Sequence, residues 1–432
     1  MKNFRIPKAI SFILAAVIIL ILGGLAGWYF YLHAQEGATD SVDAARGLGA
    51  AVPTFDGTTG STQADQAIAS HTFGTTNSDS SSTSTSQLWE VDGTPVAGMG
   101  FVGNQTAEYL YYVERANGYV FEAHPSTESV VRLTNTLMPK IYEAQFADDG
   151  SVVERAIDAA GSVSTFLGMI STSTDASSTA ASAVSGSQST GTSSAPMSLT
   201  GVYLQPGIQA IAIDPASRAL FYIVGNAAGG INAVTEEWNG MRKKQVFSSI
   251  VGSWRPYMLA DGTMMLLESP ADGLPGYAYS VNSAGTLTAI ASAIPGLTIL
   301  PKTSSSILLY GSSSGSSLSL FGEATGTPTL LPIATIADKC VWLPGSSEVA
   351  YCAVPNGTTP TDFLGNWYRG TTDTSDDWWE IDLSAGTSAR IYSPSADNLS
   401  LDVEDPTIDP SGNYIAFRNA ADQSLWVLRV AQ

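Results

Sequence analysis

Two short stretches concentrate the carboxylates. Asp373, Asp376, Asp377 and Glu380 fall within "DTSDDWWE", and Asp402, Glu404, Asp405 and Asp409 within "DVEDPTIDP". Oxygen-rich loops of this kind can hold calcium, with Asp373, Asp376 and Asp377 as the ligands to test. Two acids facing each other across a cleft could also hydrolyse a glycosidic bond. Neither stretch has the spacing of a twelve-residue calcium loop, and aspartate equally accepts backbone hydrogen bonds where a turn leads into a strand. The turn reading is preferred, so no catalytic residue, resident metal or other cofactor is assigned.

Other motifs point the same way. "GMGFVG", with Gly98, Gly100 and Gly103, has dinucleotide-fingerprint spacing, but that fingerprint opens a helix and here the β-run Tyr109 to Val113 follows. "GSSSG" around Ser313 fits the letters of a nucleophile elbow without the strand-to-helix turn or the histidine partner an elbow needs. The chain has three histidines, His33, His71 and His124, and two cysteines, too few and too scattered for a zinc site or a Ser-His-Asp triad. His124 stands beside Pro125 and reads as a loop residue at the surface.

The aromatic residues are more suggestive. Trp367, Tyr368 and Arg369 lie between Gly365 and Gly370, outside any alternating run, and Trp378 and Trp379 follow. Exposed Trp, Tyr and Arg anchor protein interfaces or stack on sugar faces. Alternatively Trp367 folds back into the protein, and the two readings are compatible if it floors a site. Of Trp378 and Trp379, alternation along a strand buries at least one.

The elements that position these residues begin with the N-terminus. Lys2, Arg5 and Lys8 precede "AISFILAAVIILILGGLAGWYFYL", residues 9–32, which carries no charge and ends in Trp28, Tyr29 and Tyr31. As a helix this run is about 36 Å long, enough to span a bilayer with some tilt. Basic residues before it and acids after it place residues 1–8 in the cytoplasm and the rest outside. A cleaved signal peptide is the competing reading, against which stand the length of the run and the lack of a small-x-small site. Residues 33–86 are polar and Ser/Thr-rich, a flexible stalk whose ends would lie roughly 40 Å apart as a coil. Beyond residue 32, sixteen basic side chains stand against all thirty-nine acids, a balance of −23 that repels phosphate backbones and argues against nucleic acid.

From residue 87 the chain repeats itself. "FVGNQTAEYLYYVER", "FADDGSVVERAI", "IDPASRALFYIV", "LADGTMMLLES", "LPKTSSSILLYG", "WLPGSSEVAYCAV" and "IDPSGNYIAFRN" each join a strand end, a tight polar turn and an alternating strand. Their starts lie 45, 67, 46, 41, 42 and 66 residues apart, and the long steps contain the insertions 171–195 and 355–375. A period near 40–45 with about four strands per unit is that of a β-propeller blade, so the expectation is an all-β, seven-bladed propeller over 87–432. The last unit has only three strands, and "QLWEVDG" at Gln87 to Gly93 is a strand with no unit of its own. Placed as the outer strand of the last blade, it covers that edge and closes the ring.

Strand order then assigns the loops. Those between strands two and three and those between blades share one face; the others share the opposite face, where the stalk enters. The first face tends to point away from the membrane and is called distal below. It carries the 355–375 insertion and "NTLMPKIYE", Asn135 to Glu143, whereas the 171–195 tract falls on the opposite face. Lys140, Tyr142, Glu143, Trp367, Tyr368 and Arg369 are the candidate binding residues, with Trp367 either exposed there or plugging the channel mouth. Cys340 and Cys352 flank a hairpin turning near Ser346, which sets them opposite each other. Outside the cytoplasm such a pair can form a disulfide, though two buried free thiols fit as well.

The phrase "DPSGNYIAF…LWVL" resembles the repeats of TolB-like propellers. "NTLMPKIYE", "KCVWLPGSSEVAYCAVP" and "NWYRGTTDTSDDWWEIDL", with one N-terminal anchor, resemble membrane-anchored propellers of candidate-phylum, Patescibacteria-like bacteria. That resemblance implies a bacterial surface protein and a Cys340–Cys352 disulfide. An acidic stretch would be expected before Trp367, where this chain has "TDFLGN". The expected function is a non-catalytic platform, membrane-tethered through residues 9–32, that binds an envelope protein or glycan on the distal face. The alternatives are a glycan or peptide hydrolase using loop carboxylates, or an accessory element of a secretion or pilus machine.

Overall fold

The computed structural model describes residues 86–103, 109–158, 161–171, 197–303, 305–324, 327–345 and 347–430. The expected membrane span at 9–32, the stalk before Ser86 and the 171–195 insertion beyond Ser171 lie outside them. No helix among the described residues is long and apolar enough to cross a membrane.

Seven four-stranded antiparallel sheets follow one another along the chain, the blades of a propeller. The first strand, β1 (Leu88–Asp92), does not belong to blade 1. It pairs with the last strand of the chain, Leu425–Arg429, as Trp89 to Val427 and Glu90 to Trp426, and so completes blade 7 beside Val403–Ile408 and Tyr414–Asn419. The ring is closed as its strand count requires. Each of the seven repeated turns joins strands one and two of a blade, and the 355–375 insertion lies between strands two and three of blade 6, Val349–Pro355 and Asp376–Asp382.

In blades 2, 3, 4 and 7 an aspartate shapes the turn. In blade 7 the buried Asp409 carboxylate accepts from the backbone N–H groups of Ser411, Asn413 and Tyr414 at 3.0, 2.7 and 2.6 Å, and Gly412 supplies the left-handed backbone, φ 78°. Asp409→Ala strands these donors beneath the sheet and should cost about 1–3 kcal/mol, read as a lower urea midpoint.

Burial departs from simple alternation. All six residues of Tyr414–Asn419 are buried. A second strand is sandwiched between its neighbours in the sheet while both sheet faces pack on adjacent blades, so polar side chains there need internal partners. Glu154, in the second strand of blade 2, is buried with both oxygens unpartnered. Of the two tryptophans read by alternation, Trp378 packs with Phe417 and Val403 of blade 7, and Trp379 packs on the other side with Leu309 and Leu320 of blade 5. His124 ends a strand rather than lying in a loop: it stacks edge-on to Tyr109 and sits 2.9 Å from Glu122. Cys340 and Cys352 are direct cross-strand partners in blade 6 and are joined by a disulfide.

Candidate functional site

The insertion of blade 6 forms a short helix, α1 (Phe363–Tyr368), where the sequence reading has only a loop. Asp362 opens it from a left-handed conformation, φ 57°. Phe363, Leu364 and Trp367 pack with Ile336, just ahead of blade 6, and so turn the apolar side of α1 into the distal mouth of the ring. Trp367 is 7% exposed. As an exposed anchor it is therefore ruled out. Its indole N–H donates to both Asp402 oxygens at 3.0 and 3.1 Å, an acceptor that holds the ring inward.

Beneath Trp367 lies a fully buried charged cluster. Lys339, Asp376 and Asp402 are 0% exposed at their side chains. The Lys339 ammonium donates to Asp376 Oδ2 at 2.5 Å, to Thr374 Oγ1 at 2.8 Å and to Asp402 Oδ1, and stands 5.2 Å from the Trp367 ring centroid. Asp376 Oδ2 also accepts from the Val403 N–H at 2.8 Å, and Asp402 Oδ2 from the Thr374 N–H at 3.1 Å. Burial raises the Asp376 carboxyl above its ordinary range, against the opposing pull of Lys339.

A second arm of α1 reaches another blade. The Tyr368 hydroxyl donates to Asp338 Oδ1 at 2.9 Å, and Arg255 of blade 4 bonds the same oxygen at 3.0 Å while its guanidinium lies 3.9 Å over the Tyr368 ring. Burial, with Asp338 beside it, holds the Tyr368 phenol well above its usual value. The helix thus spans from blade 6 to blades 4 and 7. Arg369, just beyond it, is exposed.

The other candidates sit elsewhere on the rim. Lys140 is exposed, and Tyr142 and Glu143 are half-buried at the first strand of blade 2. Tyr142 and Glu143, but not Lys140, border a cavity of about 710 Å³, lined among others by Met99, Phe101, Gln145, Asp405 and Arg418. Glu143 is held by Arg155 at 2.5 Å and by Gln145 at 2.8 Å. Gly98 is needed at the wall, since a Cβ there would stand 2.0 Å from the Ala144 carbonyl oxygen.

The carboxylates considered for calcium do not converge. Asp376 and Asp377 project to opposite sides of one strand. Asp376 goes to Lys339, whereas Asp377 bonds Arg390 at 3.1 Å and the Ser393 hydroxyl at 2.6 Å. No group of acids, histidines or cysteines among the described residues could hold a metal ion. Ser313 is buried at a hairpin and donates to Asp272.

The sequence reading missed a set of arginines. Arg155 and Arg418 lie in the second strands of blades 2 and 7, and Arg115 directly follows that of blade 1. Each donates to backbone carbonyls of the next blade: Ile141 at 3.3 Å, Ile208 at 2.8 Å and Val96 at 3.3 Å. The signal was available, because "YVER", "VVER" and "IAFR" fall at one position of the repeat.

No protein-family model matches the chain, and no curated protein matches it. Among solved structures, streptogramin B lyase is 11% identical with a TM-score of 0.45, covering 80% of this chain and 97% of that one. The Pan2 WD40 domain of Neurospora crassa is 11% identical with a TM-score of 0.46, covering 78% and 92%. TolB from Acinetobacter baumannii is 11% identical with a TM-score of 0.34, covering 74% and 63%. The sheet order, with β1 closing the seventh four-stranded sheet, carries the fold: the chain is a seven-bladed β-propeller.

Proposed function

We propose that the chain is a binding module, tethered in the membrane by residues 9–32, which presents its distal face to a protein or glycan of the cell envelope. The observation that carries this reading is where large apolar side chains are left in water. Leu137 and Ile250, 64% and 89% exposed, lie on inter-blade segments of the distal face, and Val251 and Leu274 are exposed on loops of the same face. The other exposed large apolar side chains lie on third or fourth strands, apart from Met241 in a loop of the opposite face, so those left in loops fall mainly on one face, as at interaction surfaces. Lys140 and Arg369 add charge, while the buried Lys339 cluster fixes α1 as a rigid floor, which lowers the ordering cost of binding. Kinship with membrane-anchored propellers of candidate-phylum bacteria and an extracytoplasmic location would fit this role. A hydrolase built on the loop carboxylates would have to work with Asp376 and Asp377 already engaged by Lys339 and Arg390.

Crosslinking in intact envelopes, comparing the full chain with a Lys140→Glu/Ile250→Ser variant, tests the proposal. A specific partner captured by the first and lost from the second is expected. Equal capture by both, or none by either, would overturn the distal face as a recognition surface.

A further inference from the structure

Lys339 is placed as a nucleophile rather than only as a counter-ion. One ammonium faces two carboxylates in a site from which water is excluded, so as an ion cluster it carries a net negative charge at full desolvation cost. Adding a proton or consuming the charges relieves that cost. The contacts supply a route to the second outcome. The lysine nitrogen lies 2.5 Å from Asp376 Oδ2, and hydrogen-bond contact with a carboxyl oxygen puts a nitrogen roughly 3–3.5 Å from the carbon, near-attack range. The same Oδ2 is held by the Val403 N–H at 2.8 Å, a donor positioned for charge developing on that oxygen. The other oxygen, Asp376 Oδ1, is 2.7 Å from Thr374 Oγ1, which is 3.0 Å from Asp402 Oδ1, itself bonded to the lysine nitrogen. Nitrogen, Asp402, Thr374 and the far oxygen of Asp376 therefore form a closed loop of hydrogen bonds.

We propose that Lys339 and Asp376 join in an intramolecular isopeptide bond, with Asp402 as the base and Thr374 as the proton relay. The Asp402 carboxylate takes a proton from the ammonium, and the freed amine attacks Asp376 Cγ. The Nζ–Cγ bond forms, and negative charge gathers on Oδ2 against the Val403 N–H. The Cγ–Oδ1 bond then breaks. Two of the three ammonium protons pass one at a time through Asp402 and Thr374 to Oδ1, which leaves as water, and the amide nitrogen keeps the third. An ammonium and a carboxylate become an amide and one water, with no oxidant, reductant or cofactor, and Asp402 returns to its starting form. Burial, which raises the Asp376 carboxyl and so favours its protonated form, assists. The product ties the entry of the first strand of blade 6 to the start of its third, enclosing both the disulfide hairpin and α1.

Peptide mapping by tandem mass spectrometry of the full-length chain, after reduction and denaturation, decides the matter. The expected result is a branched species in which the peptide carrying Lys339 is joined to the one carrying Asp376, lighter than their sum by one water. Asp402→Asn and Lys339→Arg should give the two peptides unlinked. Free Lys339 and Asp376 peptides from the wild-type chain would overturn the proposal whether or not either variant folds. A water loss mapping to a Lys339–Asp402 link, or to a cyclised aspartate, would overturn the assignment of Asp376 as acceptor.

Discussion

Lys339→Ala should lower the stability of the propeller by about 3–5 kcal/mol or more, the loss typical of leaving a buried carboxylate without its lysine partner, linked or not. The cost comes less from lost contacts than from what stays behind. Asp376 and Asp402, both fully buried, would share a dry site with no cation. Asp402 also anchors Trp367, so its repulsion from Asp376 should loosen α1 and with it the Tyr368–Asp338–Arg255 contact to blade 4. Urea denaturation measures the loss, and quenching of tryptophan fluorescence by iodide reports whether Trp367 becomes accessible. A second variant identifies the cause. Lys339→Met combined with Asp376→Leu removes both partners, linked or not, and leaves Asp402 its Trp367 and Thr374 donors, so it should be more stable than Lys339→Ala. If the double change were the worse of the two, packing rather than uncompensated charge would hold the mouth together.

The second large effect is a pH dependence centred on blade 2. Glu154 lies on the strand face that turns Val152 towards Val113 and Val120 of blade 1, with Ala144 and Phe166 as its cross-strand neighbours. Burial alone pushes its carboxyl up to about 8 from an ordinary 4.5. Between those values the folded protein keeps a proton that the unfolded chain has released, so the contribution is fully present below pH 4.5 and is lost as pH rises through about 8. The slope is about 1.4 kcal/mol per pH unit across that window. Denaturation midpoints from pH 5 to pH 9 should therefore fall for the wild type and fall less steeply for Glu154→Gln. At pH 9 the variant should be the more stable protein. Equal slopes would mean that Glu154 finds a partner or a path to water when it ionises.

How much of this was legible in the sequence depends on the range of the interaction. The seven turns could be read because each is local: Asp409, Pro410, Ser411 and Gly412 contain within themselves the donors, acceptor and left-handed residue the turn requires. Ring closure could be read because a three-stranded last unit and an orphan strand have only one way to satisfy each other. The charged cluster could not. Lys339 lies 37 residues from Asp376 and 63 from Asp402, and neither separation follows from any period in the chain. "DTSDDWWE" shows that Asp376 and Asp377 point to opposite sides, but not that a lysine waits on one side and Arg390 on the other. The inward turn of Trp367 was open for the same reason, since its acceptor belongs to another blade. Glu154 was visible as a flaw in the pattern, an acid between Val152 and Ala156 on a face otherwise apolar.

The pairing of β1 with the final strand has a consequence for biosynthesis. A chain made from its N-terminus produces β1 first and its partner last, with 333 positions from Asp92 to Leu425. At about 5–20 residues per second, β1 waits roughly 20–70 s for the strand that satisfies its backbone. Throughout that interval it is a free edge able to recruit a strand from a neighbouring nascent chain, and Glu90 and Asp92 are the kind of charges that discourage such pairing. A chain that stops after its first blades but before residue 425 leaves an open arc of blades rather than a smaller ring, with unpaired strands at both ends. Closure of the ring thus waits on residues 425–429, and a product that stops short of them keeps its edges exposed.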